Sequence, residues 1–168
     1  VAGVSSHPEY LFYPSVSDHD YGYESIWVDW ETGHLQLSAE DSSGVIRRYS
    51  DGVWTLPEVP EGFDYQQQGP LLLSVVDTRG GRWNYRYNTD GKLREVSWPN
   101  GGIVRIRYGS DGRVTQILGP SSERLDVSWG ERIILEYSTG QSYRIDLDAD
   151  TLDTGYRVQD IFGRQVVV

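Results

Sequence analysis

The stretch Tyr87-Asn88-Thr89-Asp90-Gly91-Lys92-Leu93, with Val96 three residues on, returns as Tyr108-Gly109-Ser110-Asp111-Gly112-Arg113-Val114, with Ile117 three residues on. Every matched pair, from 87/108 to 96/117, is separated by 21 residues. A fixed offset of this size marks a repeat architecture, in which each unit needs its neighbour to bury an apolar face. Before each turn the residues alternate. Trp83, Tyr85 and Tyr87 interleave with Arg82, Asn84 and Arg86, and Val104, Ile106 and Tyr108 with Arg105 and Arg107. Period two is the pattern of a half-buried strand. Asp90-Gly91 and Asp111-Gly112 then read as hairpin turns, with Gly taking positive φ and Asp accepting local backbone bonds.

After each turn the apolar residues stand three apart, at Leu93/Val96 and Val114/Ile117, where strict alternation needs two or four. The same slip in both copies predicts a β-bulge that curves the strand. A degenerate third unit runs through Trp129-Gly130-Glu131-Arg132-Ile133, then Leu135, Tyr137, Tyr143, Ile145 and Leu147. Asp160 to Gly163 reads as a turn that launches a last strand over Arg164 to Val168. Looser hairpin signals occur upstream at Trp30 to Leu35 and Tyr49 to Trp54. The expected architecture is all-β, a run of consecutive antiparallel hairpins forming a curved sheet or partial shell. Three regions follow: 1–56, an acidic and degenerate hairpin region; 57–70, a connector, since Pro57, Pro60 and Gly69-Pro70 break pairing; and 71–168, the repeat sheet.

Composition narrows the function. The 168 residues are 38% hydrophobic and 12% aromatic, which excludes a disordered chain. Aliphatic runs reach only three residues, so no membrane insertion is expected. The chain holds no Cys, which removes disulfides and thiol chemistry, and no Met, so it reads as a processed product or a piece of a longer protein. Residues 1–70 hold 12 carboxylates against Arg47 and Arg48, and the whole net charge of −10 lies there. Such a balance argues against nucleic acid as a partner.

The block from Leu71 to Ile117 resembles the Rhs/YD-repeat family, whose units run aromatic strand, Tyr, turn, basic residue with Leu or Val, then Ile or Val three further on. Tyr85-x-Tyr87 to Leu93 and Ile106-x-Tyr108 to Val114 carry the likeness. Asn88 and Gly109 stand where the family's usual Asp follows Tyr. The resemblance implies turn-forming roles for Tyr87, Asp90, Gly91, Tyr108, Asp111 and Gly112. Family members include bacterial polymorphic toxins, insecticidal toxin-complex shells and teneurins, large secreted or cell-surface proteins whose repeats wind into a shell. The implied function is therefore non-enzymatic: a shell fragment or accessory module of a secreted toxin or bacterial cell-surface system, partnered by a toxin domain, its parent shell or itself. The self-cleavage linked to an Asp-Pro element in the toxins does not carry over, because the chain has no Asp-Pro pair.

Two other readings stand beside it. An immunity or adaptor protein, cytoplasmic in that case, would mask a basic toxin with Asp18, Asp20, Glu24, Asp29 and Glu31. A carbohydrate-binding module would stack a glycan on Trp27 or Trp30. Catalytic and metal motifs are not recognised. Asp18-His19-Asp20 lacks paired His spacing, and Asp146-x-Asp148-x-Asp150 has Thr151 and Arg157 where a calcium loop wants Gly and Glu. No cofactor and no metal are expected.

Overall fold

The computed structural model describes residues 23–140, 142–146, 157–160 and 165–167. Among them every regular element is a strand. A four-stranded antiparallel sheet runs in order through β1 (Tyr23–Val28), β2 (Leu35–Glu40), β3 (Ile46–Ser50) and β4 (Val53–Thr55). An eleven-stranded open sheet follows, again with each strand beside its sequence neighbour. Its strands are β5 (Asp64–Gln68), β6 (Leu71–Val76), β7 (Arg82–Tyr87), β8 (Leu93–Ser97), β9 (Ile103–Tyr108) and β10 (Val114–Leu118). They continue as β11 (Arg124–Ser128), β12 (Ile133–Tyr137), β13 (Ser142–Asp146), β14 (Arg157–Asp160) and β15 (Gln165–Val167). From β5 to β13 chain order and spatial order coincide because short turns permit only hairpin neighbours.

The alternation read from the sequence sorts the two faces. Trp83 and Tyr85 on β7 and Val104 and Ile106 on β9 are buried, whereas Arg82, Arg86, Arg105 and Arg107 are exposed. The inward face of the long sheet meets the inward face of the short one in a single core, in which Ile26, Val28, Leu37 and Tyr49 pack with Leu72, Tyr85, Leu93 and Val96. The Trp54 and Tyr85 rings meet in a T-shaped contact with centroids 4.8 Å apart, and the Val114 amide donates to the Gly33 carbonyl at 2.9 Å.

The bulges fall where the spacing placed them. On β8 the partner of Arg86 is Glu95 and that of Tyr87 is Leu93, so Arg94 is the extra residue. On β10 Tyr108 faces Val114 and Arg107 faces Gln116, leaving Thr115 unmatched. A third bulge lies on β6, where Gln66 pairs with Ser74 and Gln67 with Leu72, so Leu73 is extra. Residues 73, 94 and 115 keep the 21-residue offset.

That third bulge corrects one expectation. Residues 57–70 are not connector throughout, because β5 forms there and pairs with β6. Pro57, Pro60 and Pro70 leave residues 61–69 free of proline, so the backbone can donate to a ladder. Gln67, opposite Leu72, occupies the position of Tyr87, opposite Leu93, and the turn between is one residue shorter, which hid this first unit from a search for Tyr at the 21-residue offset.

The turns share one geometry. The amides of Asp77, Asn88, Trp98 and Gly109 donate to the carbonyls of Gly81, Lys92, Gly102 and Arg113, four residues on. The fourth turn residue is each time a glycine with φ between +83° and +89° (Gly80, Gly91, Gly101, Gly112). The side-chain acceptor differs from the expected one. At the first copy it is Asn88 Oδ1, which takes the Lys92 amide at 2.8 Å, while Asp90 is exposed. In the second copy Gly109 has no side chain, and Asp111 Oδ1 accepts from the Arg113 amide at 3.1 Å instead.

Candidate functional site: clasps between units and a polar seam between sheets

Three aromatic side chains at the 21-residue period reach back to the preceding unit. The Tyr87 hydroxyl donates to the Leu72 carbonyl at 2.5 Å, and the Tyr108 hydroxyl to the Leu93 carbonyl at 2.5 Å. Trp129 does the same with its indole Nε1, donating to the Val114 carbonyl at 2.7 Å. Each acceptor lies 15 residues upstream and immediately precedes a bulge residue. A bulge breaks the regular ladder, so a carbonyl beside it suits an acceptor for a side chain. Burial pushes the Tyr87 and Tyr108 hydroxyls well above the usual phenol range, so both stay protonated donors.

The basic residue of each unit adds a second stitch, toward the following unit. The Lys92 ammonium sits 5.4 Å from the Tyr108 ring centre and donates to the Gly112 carbonyl at 2.7 Å. Arg113, 21 residues on, places its guanidinium 4.8 Å from the Trp129 ring. Cation–π contacts of this kind contribute about 0.5–1 kcal/mol at half-exposed sites.

The seam between the two sheets is polar at its centre. Glu24 on β1 shares the parity of Ile26 and Val28, and Arg47 on β3 that of Tyr49, so both charged side chains face the core. Glu24 is 0% and Arg47 1% exposed. The Tyr85 hydroxyl donates to Glu24 Oε2 at 2.8 Å, and Trp98 Nε1 donates to Oε1 at 2.8 Å. Arg47 Nη2 donates to the Tyr85 hydroxyl at 3.0 Å, and its guanidinium lies 5.5 Å from the Trp83 ring. Burial raises the Glu24 pKa above the ordinary carboxylate value, with the Trp98 bond, the Arg47 charge and the Tyr85 bond pulling it back. For Arg47 burial acts downward, but the Tyr85 hydroxyl and the Glu24 carboxylate outweigh it and keep the cation. Two further bonds cross the seam: Trp54 Nε1 to the Tyr87 hydroxyl at 2.6 Å, and the Leu93 amide to the Tyr49 hydroxyl at 3.1 Å.

The residues singled out for partner binding do not form one surface. Glu24 and Trp30 are buried, Trp30 with its ring centre 6.2 Å from that of Trp129. Neither can meet a toxin or a sugar ring in this arrangement. Trp27 is half-buried on the opposite face of β1. Asp29 Oδ1 accepts the Glu31 amide at 3.0 Å and shapes the β1–β2 turn, and Glu31 is exposed. Asp18 and Asp20 lie outside the described residues, as do the side chains of the Asp146 to Asp153 cluster. Sequence reasoning missed the buried roles of Glu24, Arg47 and Trp98. The parity of Glu24 and Arg47 was the available signal.

A cavity of about 110 Å³ is lined by Trp30, Glu31, Arg113, Trp129, Gly130, Glu131 and Ile133. It is well below the several hundred Å³ of ordinary small-molecule sites. The clasps tie each unit to the one before it, and the seam ties the short sheet to the long one.

The family model of the Teneurin YD-shell matches residues 28–152, well over half of the chain. The chain belongs to the Teneurin YD-shell family. The matched segment takes in the short sheet from the end of β1 as well as the clasped units, so the YD-shell assignment covers both sides of the seam. No curated protein matches the chain significantly. The family is a structural shell domain of the kind carried by extracellular and cell-surface proteins.

Proposed function

We propose that this chain is a wall segment of a YD-type shell in a secreted or cell-surface protein, of bacterial toxin-associated type, and that it acts through its sheet and not by catalysis. The observation that carries the reading is the pair of stitches at the 21-residue period, one reaching back 15 residues and one forward 16. Such contacts let a sheet grow one hairpin at a time with fixed curvature, because each unit interacts mainly with its neighbours. The short sheet lines the inward face of β6–β10 and is keyed there by the buried Glu24–Tyr85–Arg47 group.

Limited proteolysis of the full-length polypeptide that carries this chain tests the reading. A wall segment stays in one particle on size-exclusion after its loops are cut, because sheet pairing and the seam hold the pieces. Release of residues 23–146 as a free globule contradicts it. The immunity reading gains no particular support, since Glu24 of its acidic set is internal.

A further inference from the structure

The outward face of β7–β9 is strongly basic in a protein of net charge −10. Arg82, Arg86, Arg105 and Arg107 stand on it, and Arg94 projects at the β8 bulge, all exposed. The facing carboxylate on these strands is Glu95, 3.7 Å from Arg105 and 4.0 Å from Arg86. Among the described residues Arg82, Arg94 and Arg107 make no ion pair. The bulge residue Leu73 on neighbouring β6 is 37% exposed.

The same chain exposes the complement of this face. Between Arg48 and Arg79 there is no Lys or Arg. The loop from β4 to β5 presents Glu58 and Glu61 to solvent on either side of Val59, itself 45% exposed, and Asp64 follows at the start of β5. Glu58, Glu61 and Asp64 form no ion pair with the described residues. An exposed valine held between two carboxylates, with prolines on both sides at Pro57 and Pro60, is a stiff knob with little ordering entropy left to lose.

We propose that the Glu58-Val59-Pro60-Glu61 loop of one copy docks on the arginine face of β7–β9 of a second copy, giving head-to-tail self-association. Each molecule then uses one patch as donor and another as acceptor, a heterologous contact that continues from copy to copy. Oppositely charged patches set the register and speed encounter. The proposal concerns the chain itself and holds or fails whether or not the chain is a shell wall.

Sedimentation velocity of the whole chain across a concentration series at about 0.05 M and about 0.5 M salt reads the contact. Association at least tenfold weaker at high salt is expected. Arg82→Glu with Arg107→Glu, or Glu58→Arg with Glu61→Arg, should each leave a monomer. All four sites are exposed, and circular dichroism confirms the fold of each variant. Combining the four substitutions in one chain restores complementarity and should restore association. Wild-type protein that stays monomeric at low salt, or pairs of substitutions that leave association unchanged, overturns the proposal. So does a single-stranded oligonucleotide bound by a monomeric wild-type chain and lost with Arg82→Glu and Arg107→Glu, which would assign the face to phosphate.

Discussion

Tyr108 donates its hydroxyl to the carbonyl of Leu93, and Leu93 is the residue that precedes the bulge of the previous unit. The bond ties the end of β9 to the start of β8 across 15 residues of chain. Tyr108→Phe should keep the ring and its packing while leaving that carbonyl without its side-chain donor. The expected loss is about 1–2 kcal/mol, read as a lower midpoint in urea with an unchanged slope. Tyr87→Phe should lose more, because the same hydroxyl also receives Trp54 Nε1 from the short sheet. Equal stability of Tyr108→Phe and wild type would remove the clasp from the account.

The two turn glycines share a φ near +85° but not their surroundings. Nothing lies within 4 Å of a Cβ built at Gly91, whereas one at Gly112 runs into the Lys92 ammonium. Gly91→Val should cost about 1–2 kcal/mol from the left-handed backbone alone. Gly112→Val should cost more, since Lys92 must also leave the Gly112 carbonyl. Thermal melts of the two variants side by side decide the order, and a smaller drop for Gly112→Val would contradict the placement of Lys92.

Glu24 gives stability a pH dependence of definite sign. Its folded pKa lies above the ordinary 4.5, so the folded state holds the proton more tightly than the unfolded chain. Ionised Glu24 is thus a liability above its folded pKa, and the liability is relieved as pH falls through that pKa toward 4.5. The difference in unfolding free energy between wild type and Glu24→Gln should therefore shift in favour of wild type as the pH is lowered over that window. The absence of any shift would place Glu24 in water, and a shift in the opposite direction would mean that Arg47, Tyr85 and Trp98 outweigh its burial. Arg47→Ala should be severe, about 3–5 kcal/mol, because it strands the buried carboxylate.

A chelator should leave the melting temperature unchanged, since the seam and clasps use no metal-ligand chemistry. A drop on chelation, restored by calcium, would assign a structural role to the Asp146 to Asp153 stretch.

Much of this was legible in the chain. Tyr87 and Tyr108 gave the period, and the three-residue step from Leu93 to Val96 gave the bulge before any strand was seen. The unit at 64–76 escaped because Gln67 replaces the tyrosine and Gly69-Pro70 imitates a break. Its signature was nevertheless present in Leu72 and Val75, which keep the same step. Glu24 and Arg47 escaped for a different reason. Alternation put them on the core side, but the cost of burying a charge argues for solvent unless its partners are known, and Tyr85 and Trp98 lie 61 and 74 residues from Glu24. Pattern within a strand is local, whereas the pairing that makes a buried charge tolerable is not.

The central claim is that these units form part of a continuous YD-shell wall. An electron cryo-microscopy reconstruction of the full-length polypeptide that carries the chain tests it most directly. The account predicts density in which β5–β13 run as consecutive strands of a larger curved sheet, with the short sheet seated against β6–β10. A map in which residues 23–146 stand as an isolated body, joined to the rest only by a linker, would contradict it.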